Sequence, residues 1–467
     1  MSFTALLWVA LACALIAASM LRPAWAVALY MMTFFAAPQL WWWGKDLPEF
    51  RYAYLSGFVL MLSVAVSAGR SSQISIGSAR VASITALVMV VNATIVHQFI
   101  TAIPLISFDT YLELVKFVML YFLLNAAITS RDDLSLVAAS LAFGAAYLGY
   151  EITYNQRGDF KGGRLEDVGA PGADTANGLA SMLLMILPVI GSLWLTGKKW
   201  HKALVIVAAP LTLNVVILCN SRGAFLGLIG GGLVFLFLAK GPSRKRAVRV
   251  LILGGAALYL LLGDPKILER FTTTFVGAEE RDRSAASRIE FWKAGLLMLR
   301  DHPLGAGGGA FKFFYAFQYL EEVGSVERRR GLHNGYLTEA TDWGVQGLLI
   351  KLVFLGAAGI AAYRTIKRCR GSGRVDDALV GVSYVGALSS FMIVCIFGSY
   401  LNSEWVYWMA ALLVRYADIY AEPASVALPE RSPALALAAA PGEANGGPAR
   451  LPAMSRDSGA PGAQANW

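Results

Sequence analysis

The chain has 467 residues, of which 57% are hydrophobic and only 15% charged, with a mean hydropathy of +0.55. A soluble domain carries about a quarter charged residues, so this composition excludes a soluble enzyme and a solvated, disordered chain alike. The net charge of +9 sits mostly in basic loops between apolar runs, where a cytoplasmic bias and anionic lipid account for it without any nucleic-acid partner.

From the N-terminus onward, apolar runs of roughly 17 to 22 residues recur, the length that crosses a bilayer core as a helix. They lie at 4–20, 26–43, 52–68, 81–103, 111–128, 134–150, 178–196, 203–219, 224–239, 248–262, 343–363 and 378–397, and 405–414 is shorter and marginal. The pattern predicts an all-α, polytopic integral membrane protein with 12 or 13 transmembrane helices. The run at 4–20 lacks a basic flank ahead of it, and Leu21-Arg22-Pro23-Ala24 is a poor cleavage site, so it reads as a span and not a signal peptide.

Lys and Arg concentrate in every second loop: Arg22, 70–80, Arg131, 198–202, 240–249 and 364–374. By the positive-inside rule these loops face the cytoplasm, which puts 44–51, 104–110, 151–177, 220–223 and 264–332 on the other side. With 13 spans the N-terminus is outside and the tail inside. The four cysteines have no metal-ligand or disulfide spacing, and after Tyr420 an Ala/Pro/Gly-rich tail reads as disordered.

One outer loop, between Leu262 and Trp343, is far longer than the rest, and long loops in compact proteins usually carry function. It holds a helical stretch placing Ile289, Trp292 and Leu296 on one face, with Ser284 or Ser287 as its cap, then the breaker-rich turn His302 to Gly309, then an aromatic stretch from Phe311 to Leu320 suited to a membrane interface. The bland reading is a solvated cap; the sharper one is a lid over a substrate site.

Three arginine positions stand out. Arg222 follows Ser221 in a short turn between two apolar runs, where a guanidinium needs a partner or must snorkel to headgroups. Arg288 begins the loop helix, and Arg328, Arg329 and Arg330 precede His333, as phosphate binders or as a solvated charge run. Asn177, before the run at 178–196, serves as a helix cap or as a polar group of the site. In the fifth run Glu113 and Lys116 are spaced to pair along a helix, and His97 reads as a satisfied interfacial histidine. His333 and Asn334 stand where the polar loop meets the run at 343–363, with Gly344 and Gly347 opening that helix. A histidine there can take and return a proton near neutral pH.

Together these segments resemble the O-antigen ligase and polymerase family of bacterial envelope glycan enzymes. His333-Asn334, nine residues from Gly335 to Trp343, then Gly344 and Gly347 are similar to the family's His signature; Ser221-Arg222-Gly223-Ala224, Arg288 with Trp292, His302-Pro303-Leu304-Gly305 and Asn177-Gly178-Leu179-Ala180 resemble its other motifs in order. The resemblance implies residues 1–150 as N-terminal transmembrane helices, 151–420 as a ligase-like catalytic core with a periplasmic loop at 264–335, and 421–467 as a cytoplasmic tail. It implies an inverting glycosyltransferase of the bacterial inner membrane, acting at the periplasmic face and needing no metal, nucleotide or other cofactor. The donor would be an undecaprenyl-pyrophosphate-linked glycan and the acceptor a hydroxyl, most simply on lipid A-core; a polymerase, a protein O-oligosaccharyltransferase or a transporter of lipid-linked glycan are the alternatives. His333 would be the general base and Arg222 and Arg288 would hold the pyrophosphate. Asn334, Arg330, Asn177 and Ser221 would contact substrate, with Glu339 as a helper.

Overall fold

A computed structural model describes residues 2–68, 80–161, 163–169, 175–241, 278–326 and 330–421, with six isolated positions between 244 and 255. Among these residues the chain is all-α apart from one short hairpin, and it is a polytopic membrane protein: seven helices are long and apolar enough to cross a bilayer, and four shorter apolar helices accompany them. In hydrocarbon every backbone N–H and C=O must be paired within the protein, which a helix does locally.

The first half comprises α1 (Phe3–Ser19), α2 (Ala24–Phe35), α3 (Tyr52–Ala68), α4 (Arg80–Ile95), α5 (Pro104–Ala127) and α6 (Arg131–Thr153). The hairpin β1 (Asp159–Lys161) and β2 (Arg164–Glu166) follows, then α7 (Ala176–Leu193), α8 (Lys199–Leu218) and α9 (Arg222–Leu238). The second half holds α10 (Ala278–Asp301), α11 (Ala316–Glu322), α12 (Gly335–Gly371), α13 (Val375–Val394) and α14 (Glu404–Ala421). Twelve of the thirteen apolar runs are helices; apart from isolated positions the run at 248–262 lies outside the described residues, as do the acidic Asp264 and the tail from residue 422. In the run at 26–43 the helix ends at Phe35, because the residue before Pro38 is pushed out of the α region, and two tight 3-10 turns replace the second half.

Several local expectations are corrected. The run at 405–414, marginal by hydropathy, belongs to a deeply enclosed helix, with Trp405 to Val414 all buried. Protein surrounds α14, on α5, α6, α12 and α13, so it need not be as apolar as a lipid-facing helix. Thr175, not Asn177, caps α7, accepting from the Gly178 N–H. The loop helix begins at Ala278, so neither Ser284 nor Ser287 starts it. Lys116 does not close on Glu113; its Nζ donates to the Tyr54 hydroxyl at 2.8 Å. His97 is buried and satisfied, its Nδ1 3.1 Å from Ser107 Oγ and its ring stacked on Tyr111.

Gly344, at φ +83° and ψ 168°, divides α12 into two helices, one from Gly335 and one that carries the apolar run, so the second opens at Gly344 as expected while the first precedes it. The glycine-rich turn of the long loop and its neighbours pair groups that this break frees. The Thr341 and Asp342 carbonyls accept from the Ala306 and Gly307 N–H groups at 2.9 and 3.0 Å, and the Val345 N–H donates to the Pro303 carbonyl at 3.1 Å. Asn92 on α4 donates to the Trp343 carbonyl at 2.9 Å. The turn fits only without side chains: a Cβ on Gly305, itself at φ +91°, would lie 2.4 Å from the Gly344 nitrogen.

A second close approach fixes α9 on α13. Gly223, Gly227 and Gly231 recur every four residues, and a Cβ on the last would sit 1.7 Å from Ser390 Oγ. Small residues at this spacing let two helices in lipid touch backbone to backbone.

Inside the bundle Lys351 of α12 is wholly buried. Its Nζ is 3.3 Å from Glu339, donates to the Tyr407 hydroxyl at 2.8 Å and approaches Asn402 Oδ1 at 3.4 Å, tying α12 to α14.

Two stability outcomes follow. Gly305→Ala, which forces both a positive φ and a backbone clash, lowers stability by roughly 1–3 kcal/mol, read as a drop in melting temperature in detergent, whereas Gly356→Ala, with open space around it, leaves the melt unchanged. Lys351→Met strands the Glu339 carboxylate and costs about 3–5 kcal/mol; adding Glu339→Gln to the same protein recovers most of that loss, and a double variant as unstable as the single would show that the pair matters only for shape.

Candidate active site

His333 lies on a short link, Gly331 to Asn334, held at both ends. Leu332 is buried against α10, where a Cβ on Gly295 would come within 2.7 Å of its side chain. On the far side the Gly335 N–H donates to the Cys395 carbonyl at the end of α13, at 2.7 Å, and any side chain on Gly335 would press on Leu401 and Gly398. Asn334 caps α12, its Oδ1 accepting from the Tyr336 and Leu337 N–H groups at 3.0 Å each. His333 itself takes the left-handed conformation, φ +49°, which for a residue other than glycine marks a position its surroundings impose.

That conformation half-buries the imidazole beside the ring of Phe291 on α10, with centroids 5.9 Å apart. Burial lowers its pKa below the ordinary value, and the positive charges of Arg288, Arg330 and Lys312 lower it further. At neutral pH His333 is therefore a neutral imidazole, the form that accepts a proton.

The arginines arrive from separate elements. Ser221 caps α9, its Oγ accepting from the Ala224 N–H, and so fixes Arg222 as the first residue of that helix. Arg222 is exposed, and the adjoining Gly223 rests on Phe397 at the end of α13. Arg288 projects from α10, half-buried. Burial lowers its pKa, and the charges of Arg164 and Arg222 lower it further against the opposing Tyr400 phenol. Tyr400, between α13 and α14, is pushed up to about 12 by burial. Among the described residues neither Arg222 nor Arg288 is paired with a carboxylate. Arg328 and Arg329 lie outside the described residues, and the side chains of Glu279, Glu280 and Asp282 are likewise not described.

Arg164 joins this group, although nothing singled it out in the sequence. It stands on β2, donating through Nη2 to Asn177 Oδ1 at 2.5 Å and approaching the Cys219 carbonyl through Nε at 3.4 Å. Its acidic neighbours conceal it in the sequence, yet both are spent elsewhere: Glu166 accepts from the Ala176 N–H and Asp167 pairs with Lys161. The available signal was the alternation in Arg164-Leu165-Glu166, which buries Leu165 and turns its neighbours to the other face. Arg157, the other arginine of this loop, is structural: it donates to the Val168 carbonyl at 2.7 Å and stacks over Trp41 at 4.1 Å.

Arg164, Arg222, Arg288 and His333 thus form one electrostatic neighbourhood, with Asn177 attached through Arg164 and Ser221 through the α9 cap. Arg330 is exposed and contributes to it through its charge on His333. Glu339 does not: it is buried in the bundle with Lys351. Several guanidinium groups without carboxylate partners create a site for a polyanion, and a neutral imidazole beside it supplies a base.

Residues 203–352 match the family model described as O-Antigen ligase. The matched segment runs from α8 into α12 and includes Ser221, Arg222, Arg288, Arg330, His333 and Asn334; Arg164 and Asn177 precede it. The chain is also similar to the teichuronic acid biosynthesis protein TuaE of Bacillus subtilis (strain 168), 23% identical over 220 residues. That similarity covers 46% of this chain and 44% of the relative, less than half of either. The matched segment, less than half of the chain, and the distant relative are what this chain shares with the O-antigen ligase/polymerase family.

Proposed function

We propose that this chain is an inverting, metal-independent glycosyltransferase of the bacterial inner membrane. In this reading it moves a glycan from undecaprenyl pyrophosphate to an acceptor hydroxyl at the periplasmic face, most simply as an O-antigen ligase acting on lipid A-core. The observation that carries the reading is a half-buried, neutral His333 next to Arg288, which with Arg222 has no carboxylate partner among the described residues. The pyrophosphate is the polyanion these arginines suit. His333 takes the proton of the acceptor hydroxyl as its oxygen attacks the anomeric carbon. The new carbon–oxygen bond forms as the sugar–phosphate bond breaks, and the departing pyrophosphate carries the electron pair. Arg222, Arg288 and Arg164 offset the charge that develops on it, which is where electrostatic stabilisation has most effect. Displacement in a single step inverts the anomeric carbon.

A relative named for teichuronic acid biosynthesis favours a second reading, in which the acceptor is another lipid-linked glycan and the product is a longer polymer. The two differ in acceptor and share the site.

The deciding experiment supplies purified protein with undecaprenyl-pyrophosphate glycan and lipid A-core. One glycan chain on lipid A-core identifies the ligase; growth on the carrier identifies the polymerase; no transfer to either overturns both. His333→Ala lowers the rate by roughly 10²–10⁴-fold, with membrane insertion intact. Because the imidazole works in its neutral form and its pKa is depressed, the acid limb of the pH–rate profile falls below the ordinary imidazole value of about 6.5. Arg330→Gln removes one of the depressing charges and moves that limb to higher pH; an unmoved limb would remove His333 from the base role. Arg164→Gln lowers transfer by about 10²-fold while leaving the melting temperature within a few degrees, and full activity in that variant would confine Arg164 to bracing Asn177.

A further inference from the structure

We propose that the exposed phenyl face of the long loop, Phe313, Phe314 and Phe317, is an interfacial anchor seated in the acyl–headgroup boundary of the bilayer. These rings are 62%, 53% and 55% exposed, while Phe311, Ala316, Tyr319 and Leu320 from the same stretch are buried in a small core with Phe291 and Leu332. The segment is therefore apolar on both sides. One side is explained by packing, and three phenyl rings on the other, outside any span, are costly in water.

The occupant follows from continuity. The corner between α4 and α5 presents Phe99, Leu105 and Phe108 outward, and both helices are apolar enough to cross the membrane, so their outward surface meets lipid. Phe313 adjoins that corner directly. A Cβ on Gly309 would lie 3.0 Å from the Phe313 ring and 3.6 Å from Thr110 Oγ1 of α5, so one backbone residue separates the two surfaces. Lys312 stands beside the face with its Nζ 4.8 Å from the Phe313 centroid, within reach of lipid phosphates, and the exposed Glu321 and Glu322 end the stretch on a polar note. The anchor does not depend on the proposed reaction. If that reaction holds, the same segment places His333 at headgroup depth, since Phe311 backs onto the core that flanks it.

The test places a nitroxide at Phe314→Cys in full-length protein carrying Cys13→Ser, the exposed cysteine among the four, reconstituted in phosphatidylcholine/phosphatidylglycerol vesicles. Power saturation compares collisions with oxygen, which enriches in lipid, and with a water-soluble nickel chelate. The expected result is oxygen accessibility several-fold above nickel at Phe314→Cys and the reverse at Val326→Cys, a highly exposed position further along the loop. Nickel exceeding oxygen at Phe314→Cys overturns the anchor. So does dipolar broadening between labels, which would seat the face on a second copy of the chain. The label reports depth without turnover, so a failed transfer assay leaves this outcome unaffected.

Discussion

Hydrocarbon leaves no backbone group unpaired, and that single constraint organises the half of this protein that carries the candidate site. Gly344 interrupts α12 at its entry to the apolar run, which frees carbonyls and an N–H that lipid cannot satisfy. The turn from Pro303 to Gly307 pairs them one by one, and it can approach closely enough only because Gly305 has no side chain. The long loop is thus no appendage. Its middle is hydrogen-bonded into a transmembrane helix, and the helix that starts the loop, α10, is fixed in turn by Leu332 packed on Gly295. Arg288 and His333 owe their juxtaposition to this arrangement, because α10 carries the first and the link into α12 carries the second.

The end of α13 completes the frame. Phe397 meets Gly223, next to Arg222, and the Cys395 carbonyl receives the Gly335 N–H two residues beyond His333. Two helix starts from distant parts of the sequence therefore rest on one support. Crowded guanidinium groups repel one another, and the depression of Arg288 by Arg164 and Arg222 reflects that cost. A fold that holds Arg222 and Arg288 together, neither with a carboxylate partner among the described residues, stores an affinity for anions. Burial, and then the charges of Arg288, Arg330 and Lys312, keep the neighbouring imidazole unprotonated, so Arg288 bears on both the anion site and the base.

Much of this was legible in the sequence, for reasons that differ by residue. Apolar run length marked the helices because the bilayer thickness sets it, and Arg222 stood out because a guanidinium beside hydrocarbon is anomalous in any local context. His333 and Asn334 were visible at a polar-to-apolar boundary. What stayed hidden depends on contacts remote in sequence. Arg164 has Glu166 and Asp167 close by in the sequence, and only the hairpin engages those carboxylates with Ala176 and Lys161. Gly344 read as a helix start because the apolar run begins beside it, whereas the polar turn before it is helical through the Asn334 cap. For α14, hydropathy measures affinity for lipid, but its surroundings are other helices, against which three charged residues and several tyrosines pack well.

The buried Glu339–Lys351 pair bears on the alternative of a transporter, which calls for ionisable groups at mid-span. Such groups do exist here. Their geometry is nevertheless that of a clamp. Lys351 is surrounded on every donor direction by Glu339, Tyr407 and Asn402, drawn from α12, α14 and the turn before it, and the pair is sealed from solvent. A transport path needs groups that exchange partners along an opening, whereas a charge matched once and enclosed favours a fixed bundle. A rigid bundle is also what the proposed chemistry requires, because a base and an anion clamp on three separate elements work only if their separation does not vary. The intramembrane charges read best as part of the scaffold beneath the site, and the cations left unmatched at its edge as the part that meets substrate.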